Sequence, residues 1–143
     1  MKLNSILMVA TIVTLGCLGC YSATRTSGVE LTASANGAVL NATAHDWALE
    51  QYLELGKPVT KRLDTGLLQV QVPIQNTSRR DFTYQYQFRW FDEGGLEIFQ
   101  GQQAFRTVTI AGYNTVMLQG VSPSPTAQSF RVFVSRLNPE DRK

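Results

Sequence analysis

The side chains able to do chemistry are few and scattered along the 143 residues. His45 is the single histidine, with no Cys or His companion at ligand spacing, so it reads as a loop residue rather than a metal ligand. Asp92, Glu93 and Glu97 form a small acidic group whose types suit a carboxylate pair or a calcium site, yet carboxylates beside a turn such as Gly94-Gly95 are ordinarily solvated. Lys61-Arg62 and Arg79-Arg80 are basic pairs that read as solvated turn charges. There is no Gly-x-Ser-x-Gly, no His-Glu-x-x-His and no phosphate-cradling glycine loop, and one histidine leaves a Ser or Cys nucleophile without its usual base. The expectation is therefore no catalytic residue, no metal and no cofactor: not an enzyme, with a hydrolase built on the acidic group the least favoured reading. A formal charge of +2, dispersed along a chain only 17% charged, makes no electrostatic funnel for nucleic acid.

Cys17 and Cys20 are the only cysteines. They close too small a loop for a disulfide to constrain the unfolded chain, so the fold must stand without staples. They follow Lys2 and the uncharged stretch Ile6 to Leu15, an apolar run of about ten residues, as a secretory signal has. A spanning helix needs roughly 20 apolar residues, and the run breaks at Gly16-Cys17-Leu18-Gly19-Cys20 before that. Thr14-Leu15-Gly16-Cys17 and Cys17-Leu18-Gly19-Cys20 both resemble the lipobox of bacterial lipoproteins, whose Cys accepts diacylglycerol. Cys17 fits better, because Thr14 suits the position three before the lipidated residue; Cys20 is the alternative. The resemblance implies a signal peptide over residues 1–16 (alternatively 1–19) and a covalent lipid anchor. About forty buried methylenes at roughly 0.8 kcal/mol each make such an anchor effectively permanent. Neither Leu18 nor Tyr21 is the Asp that resembles an inner-membrane retention signal, which implies the outer membrane, facing the periplasm.

Between the leader and the core, residues 17–45 are rich in Ser, Thr, Ala, Gly and Asn and poor in large apolar groups, and they read as a flexible tether. Val29, Leu31, Val39 and Leu40 are the alternative, a short edge strand. From residue 46 to 138 the texture changes to short apolar alternations between turn residues, with a polar tail over 139–143. Leu68, Val70, Val72 and Ile74 alternate with Gln69, Gln71, Pro73 and Gln75, the period of a half-buried strand. Pro73, lacking an amide donor, belongs at an edge or bulge. Phe82, Tyr84, Tyr86, Phe88 and Trp90 then alternate with polar residues without exception, and this stripe is expected at the centre of the core. The two strands either pair directly or face each other across a sandwich. Asp92-Glu93-Gly94-Gly95 is a turn before the brief strand Leu96 to Phe99, and Arg106–Ile110, Thr115–Leu118 and Phe130–Val134 follow as strands. Trp47 to Leu55 fits helix or strand, with a lean to strand. Strands at this spacing indicate an all-β fold, an antiparallel sandwich or barrel.

The run Tyr84 to Asp92, with Gly95-Leu96-Glu97, Arg106 to Ile110 and Val116 to Gly120, resembles the YcfL-like proteins, small bacterial lipoproteins of unknown function. The resemblance spans about Leu67 to Leu137 and implies an immunoglobulin-like β-sandwich of about seven strands; it brings no catalytic residue with it. Two binding surfaces remain. The polar side of the two long strands carries Gln69, Gln71, Gln75, Gln85, Gln87 and Arg89 around Phe91, a neutral field able to lie against another protein without desolvating charges. The aromatic stripe, were it exposed, could stack on glycan rings such as those of peptidoglycan. The sequence thus leads to a lipid-anchored periplasmic module that binds an envelope protein, with glycan binding as the alternative.

Overall fold

The computed structural model describes residues 28–44, 49, 51–100 and 103–137. Cys17, Cys20, His45 and the ends of the chain lie outside them. Ten strands run through the described residues: β1 (Val29–Ser34), β2 (Val39–Ala44), β3 (Leu53–Leu55), β4 (Val59–Arg62), β5 (Leu68–Asn76), β6 (Phe82–Phe91), β7 (Glu97–Ile98), β8 (Arg106–Ile110), β9 (Thr115–Val121) and β10 (Ser129–Arg136). All their pairings are antiparallel, in two sheets packed as a sandwich. The first sheet is ordered β2-β1-β10-β6, with β7 and β8 sharing the far edge of β6. In the second, β9 runs along β5 from Gln69 to Gln75, so β3 and β4 share the opposite edge of β5.

The two long strands therefore face each other rather than pair. Leu68, Val70, Val72 and Ile74 of β5 are fully buried, opposite the stripe of β6, where Tyr84, Phe88 and Trp90 are buried and Phe82 and Tyr86 half-buried. Trp90, Phe88 and Phe130 pack with ring centroids 5.8 to 6.2 Å apart, adding to their apolar burial about 0.5–1.5 kcal/mol per aromatic pair. Gly120 of β9 lies under this cluster: a Cβ there would stand 2.8 Å from the Phe88 ring, so only glycine lets the sheets approach. Asn76 is the buried polar pin. Its Nδ2 donates to Arg80 O (2.7 Å) and Ile110 O (3.1 Å), and its Oδ1 accepts from Ser78 N–H (3.0 Å), tying the β5–β6 turn to the loop where the chain crosses from β8 to β9.

Three expectations are corrected. Residues 28–44 are not tether but the β1–β2 hairpin, so the domain begins well before residue 46. Leu31 and Ala33 are buried against β10 because alternate small side chains suffice to cover one face of a sheet edge, and Gly37 (φ 79°) turns the hairpin. Ten strands among the described residues replace about seven, the additions being the two strands of this hairpin and β4. Of Trp47 to Leu55, only Leu53–Leu55 is a described strand; Tyr52 lies in a turn whose N–H donates to Leu49 O (3.1 Å).

Candidate functional site

The residues proposed as one neutral face lie on two opposite faces. Gln85, Gln87, Arg89 and Phe91 point outward from β6, whereas Gln69, Gln71 and Gln75 point outward from β5 in the other sheet. A shared field would need β5 and β6 in one sheet, and their apolar rows are buried against each other instead. The β6 side is neither neutral nor free. Gln85 Nε2 donates to Ser135 Oγ (3.0 Å), Gln87 Nε2 donates to Gln103 O, and Arg89 faces Glu97 (3.8 Å). Arg131 pairs with Glu30 (3.1 Å) and lies 5.2 Å over the Phe91 ring. The β5 side is looser: Gln69 and Gln71 lie beside exposed Val59, Met117 and Val121.

The stripe of β6 faces the core and not solvent: Trp90 is 1% exposed and Tyr84 0%. The acidic group also disperses. Asp92 Oδ1 accepts from Leu96 N–H (2.9 Å) as a turn cap, and Glu97 faces Arg89. Among the described residues no three His, Cys, Asp or Glu side chains gather where they could hold a metal ion. Arg62 is a strand residue and not a turn charge, exposed yet bound at its guanidinium. Its guanidinium donates to Gly66 O (2.9 Å), Pro125 O (3.0 Å), Ala127 O (2.6 Å) and Gln128 Oε1 (3.2 Å), fastening β4 to the β9–β10 connection.

The feature that pairing along the chain does not reveal is the side of the sandwich formed by β8 and β9. Ser122 N–H donates to Leu68 O (2.8 Å) and Asn76 N–H to Asn114 O (3.0 Å), which turns the even-numbered residues of β9 toward β5. The backbone groups of Thr115, Met117, Gln119 and Val121 consequently face outward along an edge with no strand partner among the described residues. Thr115–Val121 contains no charge and no proline, the usual devices that blunt an edge. By contrast, β4 carries Lys61 and Arg62, and β5 turns Pro73 toward the β3–β4 side. Among the described residues one outward carbonyl is occupied: Arg106 Nη1 donates to Gln119 O (3.3 Å).

Beside that edge the opposite sheet has a gap. On β6, β8 pairs with Phe82 to Tyr86 and β7 with Trp90 and Phe91, leaving Phe88 between them without a strand neighbour on that side among the described residues. A cavity of about 250 Å³ opens there, walled by Tyr86, Phe88 and Trp90, floored by Gly120 and Val121, and rimmed by Gln103, Ala104 and Arg106. Phe105 packs edge-on against Phe133 (centroids 6.3 Å apart) on the outer face. A second, shallower cleft of about 410 Å³ between β1–β2 and β3 has no aromatic in its lining.

A DUF1425 family member from Shewanella sp. pv-4 superposes with a TM-score of 0.54 at 21% identity, over 60% of this chain and 79% of that one. Campylobacter jejuni cj0090 superposes at 0.50 and 17% identity, over 57% and 84%. These likenesses concern the fold. No curated protein matches the chain. The model of the family described as "Protein of unknown function (DUF1425)" matches residues 38–136, from β2 to the end of β10. The chain, sandwich and all, belongs to the DUF1425 family.

Proposed function

We propose that this protein is a non-catalytic binding module of the bacterial envelope, held to the outer membrane by a lipid on Cys17, or alternatively Cys20, and binding another envelope protein through the open edge of β9. The observation that carries the reading is that edge: a seven-residue strand with outward backbone groups, no charge and no proline. Extended segments dock on such edges by strand addition, where main-chain hydrogen bonds supply affinity. The lipid anchor is supported by the leader that ends at Gly16-Cys17 and by the resemblance to YcfL-like lipoproteins. The eleven residues from Cys17 to the one before Gly28 span at most about 40 Å even fully extended, so the partner is proximal to the membrane.

Photo-crosslinking in intact cells tests this. With a crosslinker at Met117, a discrete adduct with an envelope protein is expected, with none from Thr32 on the far face. Equal yields from both positions, or none from Met117, would contradict the reading. Loss of fatty-acid labelling on Cys17→Ser is the expected sign of the anchor, and retention there with loss on Cys20→Ser would move it.

A further inference from the structure

The cavity beside β9 narrows what kind of segment the edge accepts. We infer that the partner segment is an extended peptide carrying one aromatic side chain, which enters the gap of the first sheet, and a nearby carboxylate, which pairs with Arg106; this rests on the edge reading above.

Size sets the first requirement. A cavity of about 150 Å³ holds a benzene ring, and drug-sized ligands need roughly 300–1,000 Å³. At about 250 Å³ this one suits a single ring with a polar substituent or a water beside it. Its lining includes Tyr86, Phe88 and Trp90; Phe88 and Trp90 are nearly closed off, so half-buried Tyr86 is the aromatic surface that an entering ring meets. A strand added to β9 projects alternate side chains toward the first sheet. The floor formed by Gly120 and Val121 belongs to β9 itself, so a strand beside it delivers such a side chain directly over the cavity.

Charge sets the second. Among the described residues the ion pairs are Arg89 with Glu97 and Arg131 with Glu30. Arg106, exposed at the rim, has among them only the Gln119 carbonyl. An added strand competes for that carbonyl and releases the guanidinium, whose fork matches a carboxylate. A second copy of this chain docked β9 to β9 supplies neither group, because Thr115–Val121 has no aromatic and no acid. The other uncharged edge, β2, borders the cleft without aromatics.

The test is a random heptapeptide library displayed on phage, panned on the purified full chain and on its Arg106→Gln and Met117→Pro variants. Proline at Met117 removes an outward N–H without touching the β5 ladder, and near-UV circular dichroism verifies that both variants keep the fold. Binders to the native chain are expected to share one aromatic and one acidic residue at a fixed spacing. Their synthetic forms should weaken at least tenfold on Arg106→Gln, on Met117→Pro, and on replacing the peptide's aromatic by Ala. Perturbed amides should centre on Met117, Gln119 and Val121. Binders that lose affinity on Met117→Pro but show no aromatic or acidic preference overturn this inference and leave the edge reading standing. Binders indifferent to Met117→Pro, or a library that yields none, overturn both this inference and the use of the edge by short extended segments; the crosslinking experiment then decides the wider reading separately.

Discussion

Tyr84 shows how a single side chain can be legible in role and opaque in cost. Its place in the stripe of β6 marks it as core, and it is fully buried, but its hydroxyl has no hydrogen-bond partner among the described residues. Burial pushes that hydroxyl up to about 12, against a smaller opposing pull from Arg136. The folded chain thus holds the phenolic proton where the unfolded chain, with an ordinary value near 10, gives it up. Stability is unaffected by this group below pH 10 and falls between pH 10 and 12, by roughly 1–2 kcal/mol. Tyr84→Phe should abolish that slope and, by removing an unsatisfied buried group worth about 1–3 kcal/mol, leave the protein at least as stable at pH 7. Urea titrations of both forms at pH 7, 10 and 11.5 measure it; a large loss at pH 7 would show that the hydroxyl has a partner after all. Arg62 is the opposite case. Nothing near it in sequence signals a clamp, because its acceptors Pro125, Ala127 and Gln128 become neighbours only once both sheets have formed.

Strands were readable wherever one face is large and apolar. The alternation in β5 and β6 defines both, and β8 has the same bounds in sequence and structure. Their partners were not readable, since either pairing buries the same rows; it took the placement of β10 between β1 and β6 to put β5 in the other sheet. The β1–β2 hairpin escaped notice because its buried side chains are few and mostly small, and β2 is exposed along nearly its whole length. Composition that lacks large apolar groups resembles a linker even where the backbone is paired. The hairpin should nonetheless contribute to the fold: Leu31 is 3% exposed and packs in the main core, so Leu31→Ala should cost about 2–5 kcal/mol. A chemical denaturation midpoint unchanged by that substitution would return residues 28–44 to the status of a tether.

For the molecule as a whole, the sandwich was within reach of the sequence, whereas its candidate working surface was not. That surface exists because, among the described residues, β9 is last in its sheet and β7 and β8 leave a gap opposite it, two facts of topology with no local signature. The aromatic stripe could be taken for a glycan platform or a core from sequence alone; packing against the second sheet made it core and left one end of it to line a cavity. The claim on which the account turns is that the outward groups of β9 are free in the isolated chain. Residue-resolved amide hydrogen exchange on the purified protein tests this most directly. Val116, Leu118 and Gly120, which face β5, should exchange slowly, and Met117, Gln119 and Val121 at least a hundredfold faster; equal protection of the two sets would mean that the edge is already covered and would contradict the account.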